Sequence, residues 1–571
     1  MGNRIFHFLF KYIQLLLFIL ITNSPVILAQ KKGYVIGVDK TFIDANDPLY
    51  KPIKPGDTLY FSSGYRMYIN ISNFKGTFNN PIVITNTGGD VIIDTDNYYG
   101  ISIQNCQYIK FTGSGYPGQY YGFKIKRVSG GAGMGIGYLS SDIEIDHISI
   151  ENTLIGGLYA KTDPDCTMNS VRGTFTQYNT VIHDNYIANT GDEGIYVGST
   201  KYFGQTINCN GKDTLLMPCL LDGVKIYNNT IQSTGWDGIQ VSSASKNCQI
   251  YDNTILYDSQ KKDDSQMSGI LIGGGTKCDC YNNFIFQGNG DGIDCLGLGG
   301  TRLFNNIIVD AGQSYLPTDK TKMKHGIFVS DISIQKDSSF DILHNNIIHP
   351  KSDGIRFSSV ISKGNVISSN VIIDPGNYDY YETGNTSFKG KDSYIMFQTP
   401  GSATTLSNNY LARNAASVGF MSQKMQLPAD FNLVMGSPLI DAADYNFESA
   451  VSFDFLHHPR PYGLKSDIGA FEYEGITSYI QLQTDTITKR SWLIQNPVTN
   501  ILKVCLPAEP GNDLVLGIYN LQGAIESETN QSQIEDGLRI FEINVSKLSG
   551  GVHIYSIRTK KNNYSGKFLK L

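Results

Sequence analysis

An internal repeat centred on asparagine constrains this chain more than any other feature. Seven segments align on one Asn: Ile182-His-Asp-Asn185-Tyr-Ile187, Ile226-Tyr-Asn-Asn229-Thr-Ile231, Ile250-Tyr-Asp-Asn253-Thr-Ile255, Cys280-Tyr-Asn-Asn283-Phe-Ile285, Leu303-Phe-Asn-Asn306-Ile-Ile308, Leu343-His-Asn-Asn346-Ile-Ile348 and Ile367-Ser-Ser-Asn370-Val-Ile372. The shortest intervals between these Asn residues are 23 and 24 residues, and longer ones of 30 to 44 read as the same unit with loops inserted. A unit this short cannot bury its own apolar face, so consecutive units must stack. Asn tolerates the left-handed conformation that a sharp turn needs, and stacked Asn side chains can hydrogen-bond along a ladder. The residues at −3 and +2 then form internal apolar columns, and Cys280 takes a place that Ile or Leu fills elsewhere.

A second element follows in most copies: Glu193-Gly-Ile195, Asp237-Gly-Ile239, Ser268-Gly-Ile270, Asp291-Gly-Ile293, His325-Gly-Ile327 and Asp353-Gly-Ile355. Weaker earlier copies are Tyr99-Gly-Ile101, Met134-Gly-Ile136 and Gly156-Gly-Leu158. Each unit therefore holds short strands separated by turns. Low charge (17% Asp, Glu, Lys and Arg), 59 Gly and 35 Tyr against 2 Trp agree with strands and turns rather than helices.

The pattern resembles the right-handed parallel β-helix of pectate-lyase-like secreted proteins, so the expected fold is all-β: a β-helix solenoid over 96–475, a small β-sandwich over 491–571, and a linker over 476–490. Residues 30–95, with Ile53-Lys-Pro-Gly-Asp57 and Pro81-Ile-Val-Ile84, look like the opening segment of such proteins, expected to cap the first coils. Ser437-Pro-Leu-Ile-Asp441, Arg460-Pro461 and Asp467-Ile-Gly-Ala-Phe-Glu-Tyr473 are similar to the family's closing segment and are read as structural. The last 81 residues, with Asn496-Pro497, Leu548-Ser-Gly-Gly551 and Lys567-Phe-Leu-Lys570, resemble the carboxy-terminal sorting domain of the type IX secretion system of Bacteroidetes, with Gln495 in place of the usual Pro. That resemblance implies the secretion machinery as a partner and passage through the outer membrane.

Residues 1–29 read as an export signal: Arg4 and Lys11 before the apolar run Tyr12 to Ile21, then Ile27-Leu-Ala29 at a cleavage point. No later stretch of 18 apolar residues exists to span a membrane, and a monomer is expected. A net charge of −6 carries no basic face for nucleic acid. Nine Cys is too low a density for a disulfide scaffold; Cys209 and Cys219 bracket a short loop and could pair, while Cys248 and Cys278 share the −5 position of neighbouring units as buried core residues.

Because Ile and Leu fill the coil, a ligand must lie outside it. The column before Gly-Ile runs Glu193, Asp237, Ser268, Asp291, His325, Asp353, and the outward column after Ile runs Tyr159, Tyr196, Gln240, Leu271, Asp294, Phe328, Arg356. Insertions 198–222, 256–267 and 310–324 flank this face, and loops of that length in a compact repeat commonly carry function. An acidic centre beside Tyr rings suits a polysaccharide. Asp237, Asp291, Asp294, His325 and Arg356 are the candidate catalytic residues; Tyr159, Lys161, Glu193, Tyr196 and Gln240 are the candidate substrate-binding ones.

The catalytic set resembles the Asp, Asp, His, Arg order of polygalacturonase-type hydrolases, but lacks the family's adjacent Asp-Asp pair and the Lys after its Arg. A lyase would instead need a cation or Arg on the uronate carboxylate and a base from Lys161, Lys324, His325 or Arg356, with Ca²⁺ held by Asp237, Asp291 and Asp294. Asp before Gly is also a favoured turn residue. The rival reading is a non-catalytic adhesin or glycan-binding protein.

Overall fold

The computed structural model describes residues 31–315, 319, 321–376, 394–397, 403–474 and most of 492–570. The expected export signal and linker lie outside the described residues. Three strands make each coil, for example Cys278–Tyr281, Phe284–Phe286 and Asp291–Cys295. Among the described residues, the first two strands of successive coils join a 23-stranded sheet and the third a 12-stranded one. Pairing within both is parallel, as in Cys280↔Leu303, Ile285↔Ile308 and Ile293↔Ile327. The chain is a parallel β-helix that begins at once: Gly33–Ile36 pairs with Thr58–Arg66, and Phe42–Asp44 opens the third sheet.

The coil interior is one continuous apolar cluster in which Ile226, Ile250, Cys280 and Leu303 are fully buried. Cys248 and Cys278 are register partners with their sulfurs 3.0 Å apart. The Gly before each third-sheet Ile is dictated by space: a Cβ on Gly238 would lie 2.6 Å from both the Gly269 carbonyl and an Ile255 methyl, and one on Gly292 would lie 2.4 Å from their equivalents. Among the weak early copies the equivalent of Gly-Ile is Gly133-Met134, since Met134 pairs with both Ile101 and Leu158; the Met134-Gly-Ile136 alignment is two residues late.

The asparagine ladder exists. Amide nitrogens donate to the next coil's amide oxygen along Asn185, Asn229, Asn253, Asn283, Asn306, Asn345, Asn370 and Asn409, at 2.9 to 3.0 Å. Two corrections follow. The rung is Asn345, not Asn346, so Ile342 and Ile347 are the inward residues of that coil. The left-handed residue is the one before each rung, as at Asn228 (φ 53°), Asp252 (54°), Asn282 (54°) and His344 (54°). The turn's strain thus falls on a polar neighbour, and the rung keeps its backbone free to meet the next coil.

Asn283 donates to Asn306, the Ile250 carbonyl and the Tyr281 carbonyl, and its oxygen accepts from Asn253. Asn283→Ala strands several buried groups at once, and a loss of about 2–3 kcal/mol in denaturant titration is expected. An unchanged midpoint would show that the ladder contributes nothing net.

On the outer side of the first strands His183, Tyr227, Tyr251, Tyr281 and Phe304 form a stack with centroids 4.6 to 4.9 Å apart. The closing segment covers this side of the helix: Phe453 meets Tyr281 and Phe304, and a second apolar cluster joins Phe286, Ile307, Ile348 and Val371 to Phe431, Leu439 and Phe471. Beyond it, antiparallel strands such as Ile501–Pro507 with Leu538–Asn544 and Val515–Tyr519 with Gly551–Arg558 enclose a separate core.

The expected Cys209–Cys219 bridge is replaced by Cys166–Cys209. The insertion folds as a hairpin of Gln205–Cys209 against Lys212–Leu216, which carries Cys209 to the tip, a strand length from Cys219. Cys219 turns inward to the Thr162 carbonyl. The disulfide fastens the hairpin to the segment around Asp165, outside the coil core. Replacing both cysteines by Ser is expected to expose 205–216 to limited proteolysis while shifting the global melting midpoint little. Equal protease resistance with and without the bridge would contradict this.

Candidate functional site

The third sheet sets both predicted columns in register. Tyr159, Tyr196, Gln240, Leu271, Asp294, Phe328 and Arg356 are successive pairing partners on its outer side. The column before Gly-Ile is continuous through the backbone: Gly194 N–H donates to Asp237, Gly238 to Ser268, Gly292 to His325 and Gly326 to Asp353.

The candidate residues fall into two groups. Upstream, the Tyr159 hydroxyl donates to Glu193 at 2.9 Å and the Ser268 hydroxyl to Asp237 at 2.7 Å. One edge of the Gln240 amide lies 3.0 Å from Glu193, 3.2 Å from Asp237 and 3.2 Å from Gln266. Its NH2 meets these oxygens when the acids are ionised, and its oxygen can accept from a protonated Asp237. Glu193 is 2% exposed and Asp237 0%. Burial pushes Asp237 up to about 8, with the Ser268 hydroxyl bond opposing, and it also raises Glu193 and the Tyr159 phenol. Tyr159 and Tyr196 meet edge to face at 5.5 Å. The Lys161 ammonium lies 5.1 Å over the Tyr196 ring and pairs with Asp163 at 3.0 Å. The geometry therefore makes Glu193 and Asp237 mutually satisfied interior groups, not the open floor of a groove.

Downstream, Asp291 is paired with the buried Lys324 ammonium at 3.4 Å and accepts from the His325 backbone. His325 Nδ1 accepts from the Asp353 backbone at 3.2 Å, and its ring lies beside Phe328 with centroids 5.8 Å apart. Arg356 reaches Asp353 at 3.2 Å. Asp294 is partly open, and among the described residues its buried Oδ1 accepts no hydrogen bond. Burial, then the charge of Asp291, pushes the Asp294 carboxyl well above the carboxylate range, against the pull of Lys324.

Asp258 and Gln266 escaped the sequence reading because both sit in an insertion whose path no periodicity fixes. Asp258 is buried, accepts from Ser259 and from the Gly290 backbone, and is raised by burial to about 6. Its one sequence signal is indirect: Gly288 has no room for a Cβ, which would lie 1.8 Å from Asp258.

For Ca²⁺, two of the three acids, Asp237 and Asp291, are already engaged. Ser268 holds Asp237, and Lys324 and the His325 backbone hold Asp291. Among the described residues the ligand atoms that converge are instead those of Glu144, Asp146 and His183, and there the Lys110 ammonium is already paired with both acids.

The charge state of Asp237 has a consequence for stability. Its folded value is raised above that of the unfolded chain, so the folded state retains a proton that the unfolded state releases. Its contribution therefore falls as pH rises from about 4 to about 8, and is constant above. Asp237→Asn is expected to flatten part of that decline, by an amount on the order of a few kcal/mol between the two ends. Parallel stability curves for the two proteins would place an ionised Asp237 in the fold.

Comparison with known proteins agrees with the architecture. Residues 205–433 match the right handed beta helix region family and residues 496–570 the secretion system C-terminal sorting domain. No curated protein matches the sequence. Among solved structures, pectate lyase Pel9A is 14% identical over 78% of this chain and 96% of its own, with a TM-score of 0.35. The GH136 lacto-N-biosidase of Eubacterium ramulus is 13% identical over 67% and 68%, with a TM-score of 0.41. The PL6 family polysaccharide lyase Pedsa3628 of Pseudopedobacter saltans is 14% identical over 65% and 92%, with a TM-score of 0.35. The chain is a right-handed β-helix protein with a secretion system C-terminal sorting domain, sent by the type IX route to the cell surface or the extracellular space.

Proposed function

We propose that the protein binds and cleaves an extracellular polysaccharide at the downstream half of the third sheet, as a polysaccharide lyase or a glycoside hydrolase. The observation that carries this reading is Asp294: a partly open residue whose carboxyl is raised by burial and whose buried Oδ1 has no hydrogen-bond partner among the described residues, beside an Asp291 that is ion-paired to Lys324. Two carboxyls whose surroundings differ this much suit unlike roles in acid–base chemistry.

In either reaction Asp294 delivers its proton to the glycosidic oxygen as the bond breaks. In hydrolysis Asp291, buried and held by Lys324 and the His325 backbone, is the partner carboxylate that takes a proton from the water attacking the sugar carbon. In elimination Arg356 faces the uronate carboxylate, and His325 takes the proton alpha to it at Nδ1, giving up the bond from the Asp353 backbone, while the Lys324 ammonium stays paired with Asp291. Phe328 offers an apolar face to the sugar ring. If Ca²⁺ binds at Asp237, Asp291 and Asp294 it would neutralise a uronate; no step here depends on it.

A non-catalytic glycan-binding protein is the second reading, favoured by the complete hydrogen-bonding of Glu193, Asp237 and Tyr159. The test is incubation of the secreted chain with polygalacturonate, alginate and xylan, with and without Ca²⁺, following reducing ends and ultraviolet absorbance together. Reducing ends with unsaturated absorbance identify a lyase, and reducing ends alone a hydrolase. Retention on immobilised glycan without any product would replace the cleavage reading by the binding one.

A further inference from the structure

The outer column of the third sheet has the core behind it and solvent in front, so its side chains should be open from end to end. They are open only at the two ends. Gln240 is 1% exposed and Leu271 7%, whereas Tyr159 and Tyr196 on one side and Asp294, Phe328 and Arg356 on the other are partly open. The insertion carrying Gln266 reaches over Gln240, and Tyr202 stands at the turn that ends the Leu271 strand.

From one rim, Gln266 reaches the Gln240 amide at 3.2 Å. Its neighbour Met267 is buried, with the Tyr315 hydroxyl 3.6 Å from the sulfur, and Lys322 of the next insertion pairs with Asp264. From the other rim, Tyr202 lies on the turn at Gly274 and Gly275: a Cβ on Gly275 would fall 2.0 Å from the Tyr202 ring. The same turn is anchored by Gly275 N–H donating to Ser333 at 3.0 Å.

We infer that this cover is a saddle that divides the face in two, and that the Asp294 site takes a polysaccharide by its chain end, not astride an internal bond. The inference rests on the cleavage reading above and deepens it. Coils repeat about every 4.8 Å along the axis, close to the length of one sugar unit, so a chain lying along the face would need an open position on each coil. Two consecutive positions are filled. A chain approaching from the Arg356 side passes Phe328 and stops at Leu271 with its terminal residue over Asp294. The shelf of Tyr159, Tyr196 and Lys161 lies beyond the stop and is a separate surface.

The test compares viscosity with product size on whichever of polygalacturonate, alginate or xylan is cleaved, using the secreted chain. The expected result is one small product from the earliest time, with polymer length and viscosity falling slowly, and loss of product formation when the chain ends are chemically blocked. Gln266→Ala, which removes the insertion's side chain from over Gln240, is expected to add internal cuts. A broad ladder of products with an immediate fall in viscosity overturns the chain-end inference and leaves cleavage standing. Absence of product from every polymer and from their short oligosaccharides overturns the cleavage reading, and this inference with it.

Discussion

Asp294→Asn is expected to lower turnover of the cleaved polysaccharide by about 10²–10⁴-fold, the usual contribution of a positioned general acid, while the protein stays folded. The substitution preserves shape and removes only the proton that the site is built to retain. Burial and the Asp291 charge hold that proton on Asp294, so the wild-type rate should persist toward alkaline pH beyond the range of an ordinary carboxylic acid and fall only when Asp294 ionises. In Asp294→Asn the residual rate should lose that alkaline limb. Measuring kcat against pH for both proteins, with melting curves beside them, separates the chemical role from a structural one. Full activity in the variant, or an unchanged limb, would move the acid elsewhere.

Asp291 would be a poorer probe. It is the partner of the buried Lys324 ammonium and of the His325 backbone. Truncating it leaves a buried cation uncompensated, which costs stability whatever the residue does chemically. A loss of activity in Asp291→Ala therefore reports on folding as much as on reaction. Asp294, with one oxygen unpartnered among the described residues, has no such obligation.

The repeat made the solenoid legible because its two periods are physical: inward positions alternate along each strand, and stacked units must place the same residue at the same corner. Where reading slipped, the cause was a face with two apolar sides. At the coil around Asn345 both Ile342 and Leu343, and both Ile347 and Ile348, are buried, one set in the coil and the other against Val451 and the closing segment. Alternation cannot say which set points inward, so the Asn346 register fitted equally well. The columns of the candidate site were legible for the same reason as the core, through strand register. Their exposure was not. Glu193 and Asp237 occupy outer positions in sequence, yet insertion 256–267 and the Gln240 amide close over them, and only tertiary structure decides where a 12-residue loop lies. The disulfide partner of Cys209 was hidden likewise by a hairpin that no repeat encodes.

The closing segment, similar in sequence to a structural motif, is pinned by a buried ion pair. Arg460 and Glu472 form an ion pair with both side chains at 0% exposure. The guanidinium also donates to the carbonyls of Phe453 at 3.2 Å, Asp467 at 3.1 Å and Gly469 at 2.7 Å, and to the Asn305 side chain at 3.3 Å. Glu472 in turn accepts from the backbones of Tyr462 and Asp467, each at 2.8 Å. One side chain thus ties three stretches of the segment to a turn of the asparagine ladder. Arg460→Met fills the volume but leaves Glu472 buried without its cation and several carbonyls without a donor, and a loss of about 3–5 kcal/mol is expected. The segment should then lift from the apolar side of the coils that it covers, and binding of a hydrophobic dye should rise before the solenoid itself melts. Adding Glu472→Gln removes the stranded charge and should recover part of the loss, because the penalty of an unpaired buried ion exceeds the net contribution of the pair. A single variant as stable as the wild type, or a double variant no better than the single, would mean that the apolar contacts alone hold the segment in place.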